Sequence, residues 1–229
     1  TNMGLRTGKD AYVNGIACVS SWQVSDSVQS NRYAASCVGD GTGTPQGNED
    51  WTGSMSGIGS VPPFPSGANV TFQGVASNEV GSLVSYNGNI LITETTINFP
   101  KASGEEITWT ATFGVQGALT KAASGATDAT RKEAESAKNF KIVIDPDGID
   151  FEVPQVQSGT LVLRRPASTY VDDGLTYRRA GNLELDFSFA VLNDDLEVAA
   201  YAANVQHPVR IYDTASTFFS IQTLRFLSK

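Results

Sequence analysis

Ile107-Thr108-Trp109-Thr110-Ala111-Thr112-Phe113-Gly114-Val115 decides the fold. Large apolar residues alternate with threonine or glycine at a period of two, the repeat of an extended strand with one face in a core. A helix would scatter these side chains around its axis. Residues 90–99 give the other long strand signal, and the polar stretch 100–105 joins the two as a long antiparallel hairpin.

Outward from that hairpin the chain keeps reading as strands. Upstream they are 11–19, 22–24, 33–38, 51–58 and 69–75, with Asn87-Gly88-Asn89 as a tight-turn signal. Residues 39–50 have no hydrophobic side chain and many breakers, which predicts a long exposed loop. Pro62, Pro63 and Pro65 remove ladder donors, so residues 62–67 form a turn. Downstream, strands are predicted at 140–144, 149–153, 160–163, 183–192, 209–212 and 218–227. A short helix over 196–204 is capped by Asn193-Asp194-Asp195 and ended by His207-Pro208.

The expected fold is all-β, an antiparallel sandwich or barrel with one or two short helices. Composition shifts at 122–138, which is rich in Ala, Glu and Lys without an apolar stripe. That places a first sandwich at 1–121, a helical or linker segment at 122–139 and a second sandwich-like half at 140–229. A faint echo of Trp22-Gln23-Val24 in Phe151-Glu152-Val153 raises the idea of a duplication.

Charge narrows the function. Residues 1–121 hold 5 basic and 9 acidic groups and residues 122–229 hold 11 and 15, so each part carries −4 and the chain −8. A nucleic-acid grip needs the opposite sign. No apolar run reaches bilayer length. Residues 1–6 lack the layout of a secretory signal, so the Asn69-Val70-Thr71 sequon is expected to be idle. Cys18 and Cys37 allow one bridge or two small buried thiols; burial habits favour thiols.

Catalytic patterns are missing from the sequence. His207 is the one histidine, and no Gly-x-Ser-x-Gly or Cys-x-x-Cys exists. Asp145-Pro146-Asp147-Gly148 starts like a calcium loop, yet Val156 stands where a bidentate Glu is required. Asp172-Asp173-Gly174 reads as a turn. The expectation is a protein that is no enzyme and carries no cofactor or metal.

The order of elements from 50 to 120 resembles the major tail protein, the tail tube subunit of long-tailed bacteriophages. There a long loop precedes a strand, a helix or turn follows, and a second strand and a long hairpin complete the sandwich. The 107–120 passage, ending Gly117-Ala118-Leu119-Thr120, is the most similar. The resemblance implies a virion protein that assembles in the host cytoplasm. Its copies would form trimeric or hexameric rings stacked into a tube. Its partners would be itself, the tape measure and terminator proteins, and double-stranded DNA in unspecific transit. It implies ring-stacking contacts in which Asp40, Glu49 and Asp50 meet Arg164-Arg165 or Arg178-Arg179 of the adjacent layer. Glu94 and Glu105 would line the channel. The rival readings are a capsid decoration or tail-terminator protein forming one closed ring, and a carbohydrate-binding module. Trp22, Trp51 and Trp109 are the aromatics such a module would need, though the alternation around Trp109 favours the core.

Ordering the 39–50 loop costs about 1–2 kcal/mol per residue in backbone entropy, with no apolar side chain to offset it. Deleting residues 41–48 should therefore leave folding intact while polymerisation fails. Circular dichroism beside electron microscopy checks this, and normal tubes from the deletion variant would remove the loop from assembly.

Overall fold

A computed structural model describes residues 5–8, 10–14, 16–28, 47–59, 66–77, 83–122, 130–131, 136–144, 150–192, 206–212 and 218–225. The strands are β1 (Leu5–Gly8), β2 (Asp10–Val13), β3 (Ile16–Val28), β4 (Glu49–Ile58), β5 (Asn69–Ser77), β6 (Leu83–Phe99), β7 (Thr108–Val115), β8 (Thr120–Ala122) and β9 (Thr130–Arg131). They continue as β10 (Lys141–Ile144), β11 (Phe151–Glu152), β12 (Val156–Arg164), β13 (Ala167–Asp172), β14 (Leu175–Ala180), β15 (Glu184–Val191), β16 (Gln206–Tyr212) and β17 (Phe218–Arg225). The all-β expectation holds.

Thirteen strands share one mixed sheet, and β11-β10-β16-β17 form a second. Within the large sheet, β2, β5, β6, β7, β4 and β3 pair in turn, and β3 pairs back with β2. Six antiparallel strands thus close into a barrel, which leaves no free edge among them. Trp22, Phe72 and Phe113 fill it, with Trp22 edge-on to Phe72 at 5.7 Å and Phe72 tilted against Phe113 at 5.3 Å.

The long strand β6 joins this barrel to the rest. Its first part pairs with β5 as far as Leu91, and its last part pairs with β12 from Glu94 to Phe99. The sheet therefore runs through the composition boundary at 122–139. Beneath the extension, Phe99 stacks on Phe140 at 4.6 Å, and Ile142, Ile144, Leu161, Val209 and Ile211 are buried in the same cluster as the barrel core.

Several local expectations need correcting. Asn87-Gly88-Asn89 is not a turn but the middle of β6, opposite Gln73, Phe72 and Thr71 of β5. Pairing continues on the other edge, where Asn87 meets Thr120 of β8, so two ladders override a local turn signal. Of the helical or linker segment expected at 122–139, the described residues hold β9 and a 3-10 turn at Ala137–Asn139, and residues 123–129 and 132–135 lie outside them. His207 lies in β16 opposite Leu224. The helix expected at 196–204, most of the 39–50 loop, Cys37 and the side chain of Cys18 lie outside the described residues.

Packing inside the barrel is tight enough to test. A Cβ on Gly74 would stand 2.8 Å from two ring carbons of Trp22 and 2.9 Å from Phe72. Gly74→Ala should cost about 1–3 kcal/mol through this overpacking, read as a lower denaturation midpoint with an unchanged slope.

Candidate assembly surfaces

Alternation along β7 puts Trp109, Ala111, Phe113 and Val115 inside and leaves Thr108, Thr110 and Thr112 exposed. Register then aligns these threonines with similar residues on neighbouring strands. Thr112 lies opposite Ser54 of β4, which lies opposite Gln23 of β3. Thr110 lies between Ser56 of β4 and Thr96 of β6, and Ser56 faces Ser21. Thr108 lies opposite Asn98, which lies opposite Thr160 of β12 and then Ser188 of β15. Hydroxyls bond across the rows: Ser21 to Ser56 at 2.7 Å, Thr93 to Thr112 at 3.1 Å, and Thr160 donating to Asn98 Oδ1 at 3.1 Å. The result is a broad outer face of small, uncharged, polar side chains.

Charge enters this face at one margin. Arg164 Nε donates to Glu94 Oε2 at 2.8 Å and its Nη1 to Asp186 Oδ2 at 2.6 Å. The hydrogen bond and charge of Glu94, then Asp186, raise the guanidinium above its ordinary value. Arg164 thus stays a cation held between two carboxylates, and Glu184 lies opposite it on β15. A β-bulge between Ile92 and Glu94 makes this margin. The extra residue lets Thr93 and Glu94 follow each other while Ile92 and Ile97 both remain buried.

A second surface is the β13–β14 hairpin. Asp173 and Gly174 both take positive φ, at 47° and 74°, so the tight turn expected there is present. Across β14, Arg178 is buried. Its Nη1 donates to the Val115 carbonyl at 2.9 Å, its Nη2 to Asp50 Oδ1, and its backbone N–H to Gln116 Oε1 at 2.7 Å. Gly114 makes the room, since a Cβ there would run into the guanidinium. Among the described residues β13 pairs with β14 alone and ends the sheet path, with Tyr170 and Val171 exposed.

The pairing expected between chains, Asp50 with Arg178, is made within one chain. Arg164 likewise finds Glu94 and Asp186 in its own chain. Glu49 accepts a bond from Trp51 Nε1 at 2.6 Å. Arg165 donates from Nη1 to the Gly181 carbonyl at 3.1 Å, while its buried Nε has no hydrogen-bond partner. Arg179 is exposed and makes no ion pair among the described residues. Of the two channel candidates, Glu94 stands on the hydroxyl face, whereas Glu105 sits in the turn after β6, where its carbonyl accepts from Ala137 N–H. Asp40 lies outside the described residues. The sequence reasoning missed the hydroxyl face as a face; the threonine alternation in β7 was its visible signal.

No protein-family model matches the chain, and no curated protein matches it. Among the described residues, three or more His, Cys, Asp or Glu never group as a metal site, and no helix is long and apolar enough to cross a membrane. All three tryptophans are buried.

Arg178 is the cation on which this surface is built. Arg178→Ala leaves Asp50 and the Val115 carbonyl unmatched and opens a void over Gly114. A loss of about 3–5 kcal/mol is expected, measured by urea denaturation.

Proposed function

We propose that this chain is a structural virion subunit that polymerises into stacked rings, the tail tube through which phage DNA passes. The observation that carries the reading is the hydroxyl face of β3, β4, β7, β6, β12 and β15. Most of its side chains are small and uncharged, its charges gather at the Glu94, Arg164, Asp186 and Glu184 margin, and its one arginine among the described residues, Arg164, is held by Glu94 and Asp186. A wall along which DNA slides must make no lasting phosphate contacts, because each free Lys or Arg that neutralises a phosphate adds to retention. Serine, threonine and tied cations meet that demand, and the net charge of −8 favours the same outcome.

Two further features support a building-block role. The described side chains include no catalytic constellation, and the closed barrel gives a rigid body on which exposed strand edges stand. The burial of Trp22, Trp51 and Trp109 takes away the tryptophans expected to serve a carbohydrate-binding module. On this reading the hydroxyl face lines the lumen, with Glu94 at its margin. Tape measure and terminator proteins would meet the tube at its interior and its end.

Concentrated protein should form tubes in negative stain, and a cryo-EM map should put Thr110 and Thr112 on the lumen wall. Discrete rings without tubes would instead favour a decoration or terminator protein. Tubes with Thr110 and Thr112 on the outside would overturn the lumen assignment.

A further inference from the structure

We infer that the edge of β13, which has no partner among the described residues, is a self-association site, pairing antiparallel with β13 of a second copy about a two-fold axis at Tyr170. This inference does not rest on the tube reading. It comes from the charges and aromatics of the hairpin.

Register within the hairpin sets Ser168 opposite Arg179, Tyr170 opposite Tyr177 and Asp172 opposite Leu175. Directly opposed residues of an antiparallel pair share a face, so Ser168, Tyr170, Asp172, Tyr177 and Arg179 stand together. Tyr170 and Tyr177 confirm it, stacked at 5.6 Å with their planes 19° apart. Tyr170 is 56% exposed, a large aromatic surface to leave in water. Asp172 and Arg179 are both exposed and neither makes an ion pair among the described residues. They cannot satisfy each other, because four residues of strand hold them about 13 Å apart.

A second copy removes both deficits. With Tyr170 opposite Tyr170 of the copy, Ser168 falls opposite Asp172 of the copy. Arg179 lies one strand beyond Ser168 on the same face, about 10 Å from that aspartate along the hydrogen-bonding direction. The extended guanidinium side chain spans this distance over the small serine. The two-fold axis makes the Arg179–Asp172 contact twice. Between the two contacts, Tyr177, Tyr170 and their copies form a row of four rings. Backbone groups on that edge gain partners at the same time, the general mode of strand addition. Shifting the register by one residue would put Asp172 on the opposite face from Arg179 and break the match.

The test is a charge exchange on the full chain, read by sedimentation equilibrium at concentrations below those that give larger assemblies. Wild type should dimerise, more weakly as salt rises. Asp172→Arg and Arg179→Asp should each weaken the dimer about tenfold, since each places like charges at both contacts. The double variant D172R/R179D should restore it. Tyr170→Cys should also give a disulfide-linked dimer under mild oxidation, in excess of the wild-type level, because directly opposed Cβ atoms come within bridging reach. Restoration with cross-linking supports the site. A wild type that stays monomeric up to about 1 mM, natively folded single variants that dimerise as wild type does, or a double variant that stays weak would each overturn it.

Discussion

Seventeen residues of continuous extended chain in β6 constrain every other part of the molecule. A strand of that length offers more edge than one partner can cover. One side is shared between β5 and β12, and the other between β8 and β7. Because each unpaired buried N–H or C=O is costly, the neighbours must arrive in register along the whole length. The barrel is the solution over the first part of β6, and the antiparallel pair β12–β15 with the four-stranded sheet beneath it is the solution over the last part.

This division explains the two kinds of surface. Where both edges are paired and one face is buried, the opposite face has only to be soluble, and serine and threonine suffice. They also hydrogen-bond across strands, which ties the face together with little charge. Where the sheet path ends, at β13, no described strand is paired on the far side, and charged and aromatic side chains gather there. Arg178 connects the two regimes. By binding Asp50 of β4 and the Val115 carbonyl of β7, it fastens an otherwise peripheral hairpin to the barrel wall.

Much of the strand content was legible. The alternation in 107–115 reappears as β7, and the patterns at 51–58, 69–75 and 160–163 lie within β4, β5 and β12. Failures came where a local rule met a long-range partner. Asn87-Gly88-Asn89 has the chemistry of a turn, yet Gly88 is held in β6 opposite Phe72. A Cβ on Gly88 would stand 2.7 Å from Leu119 Cδ2, so glycine there answers a close approach. The basic dyads Arg164-Arg165 and Arg178-Arg179 stand out in the sequence, but their acidic partners do not. Arg178 and Asp50 are 128 residues apart, and no spacing rule reports that they meet.

The amino-acid sequence by itself determined which segments extend, which faces are apolar, the acidic balance and the lack of catalytic patterns. Each of these is a property of side chains and of local backbone preference, readable within a few residues. Tertiary structure alone decided which strand lies beside which, that six of them close, that Thr110, Ser56 and Ser21 form one row, and that Arg178 is buried. The physical reason is that ladder hydrogen bonds join backbone groups every residue possesses, so pairing carries almost no residue code. Register is selected by how Trp22, Phe72 and Phe113 fit together inside the barrel, a condition that exists only once distant strands have met.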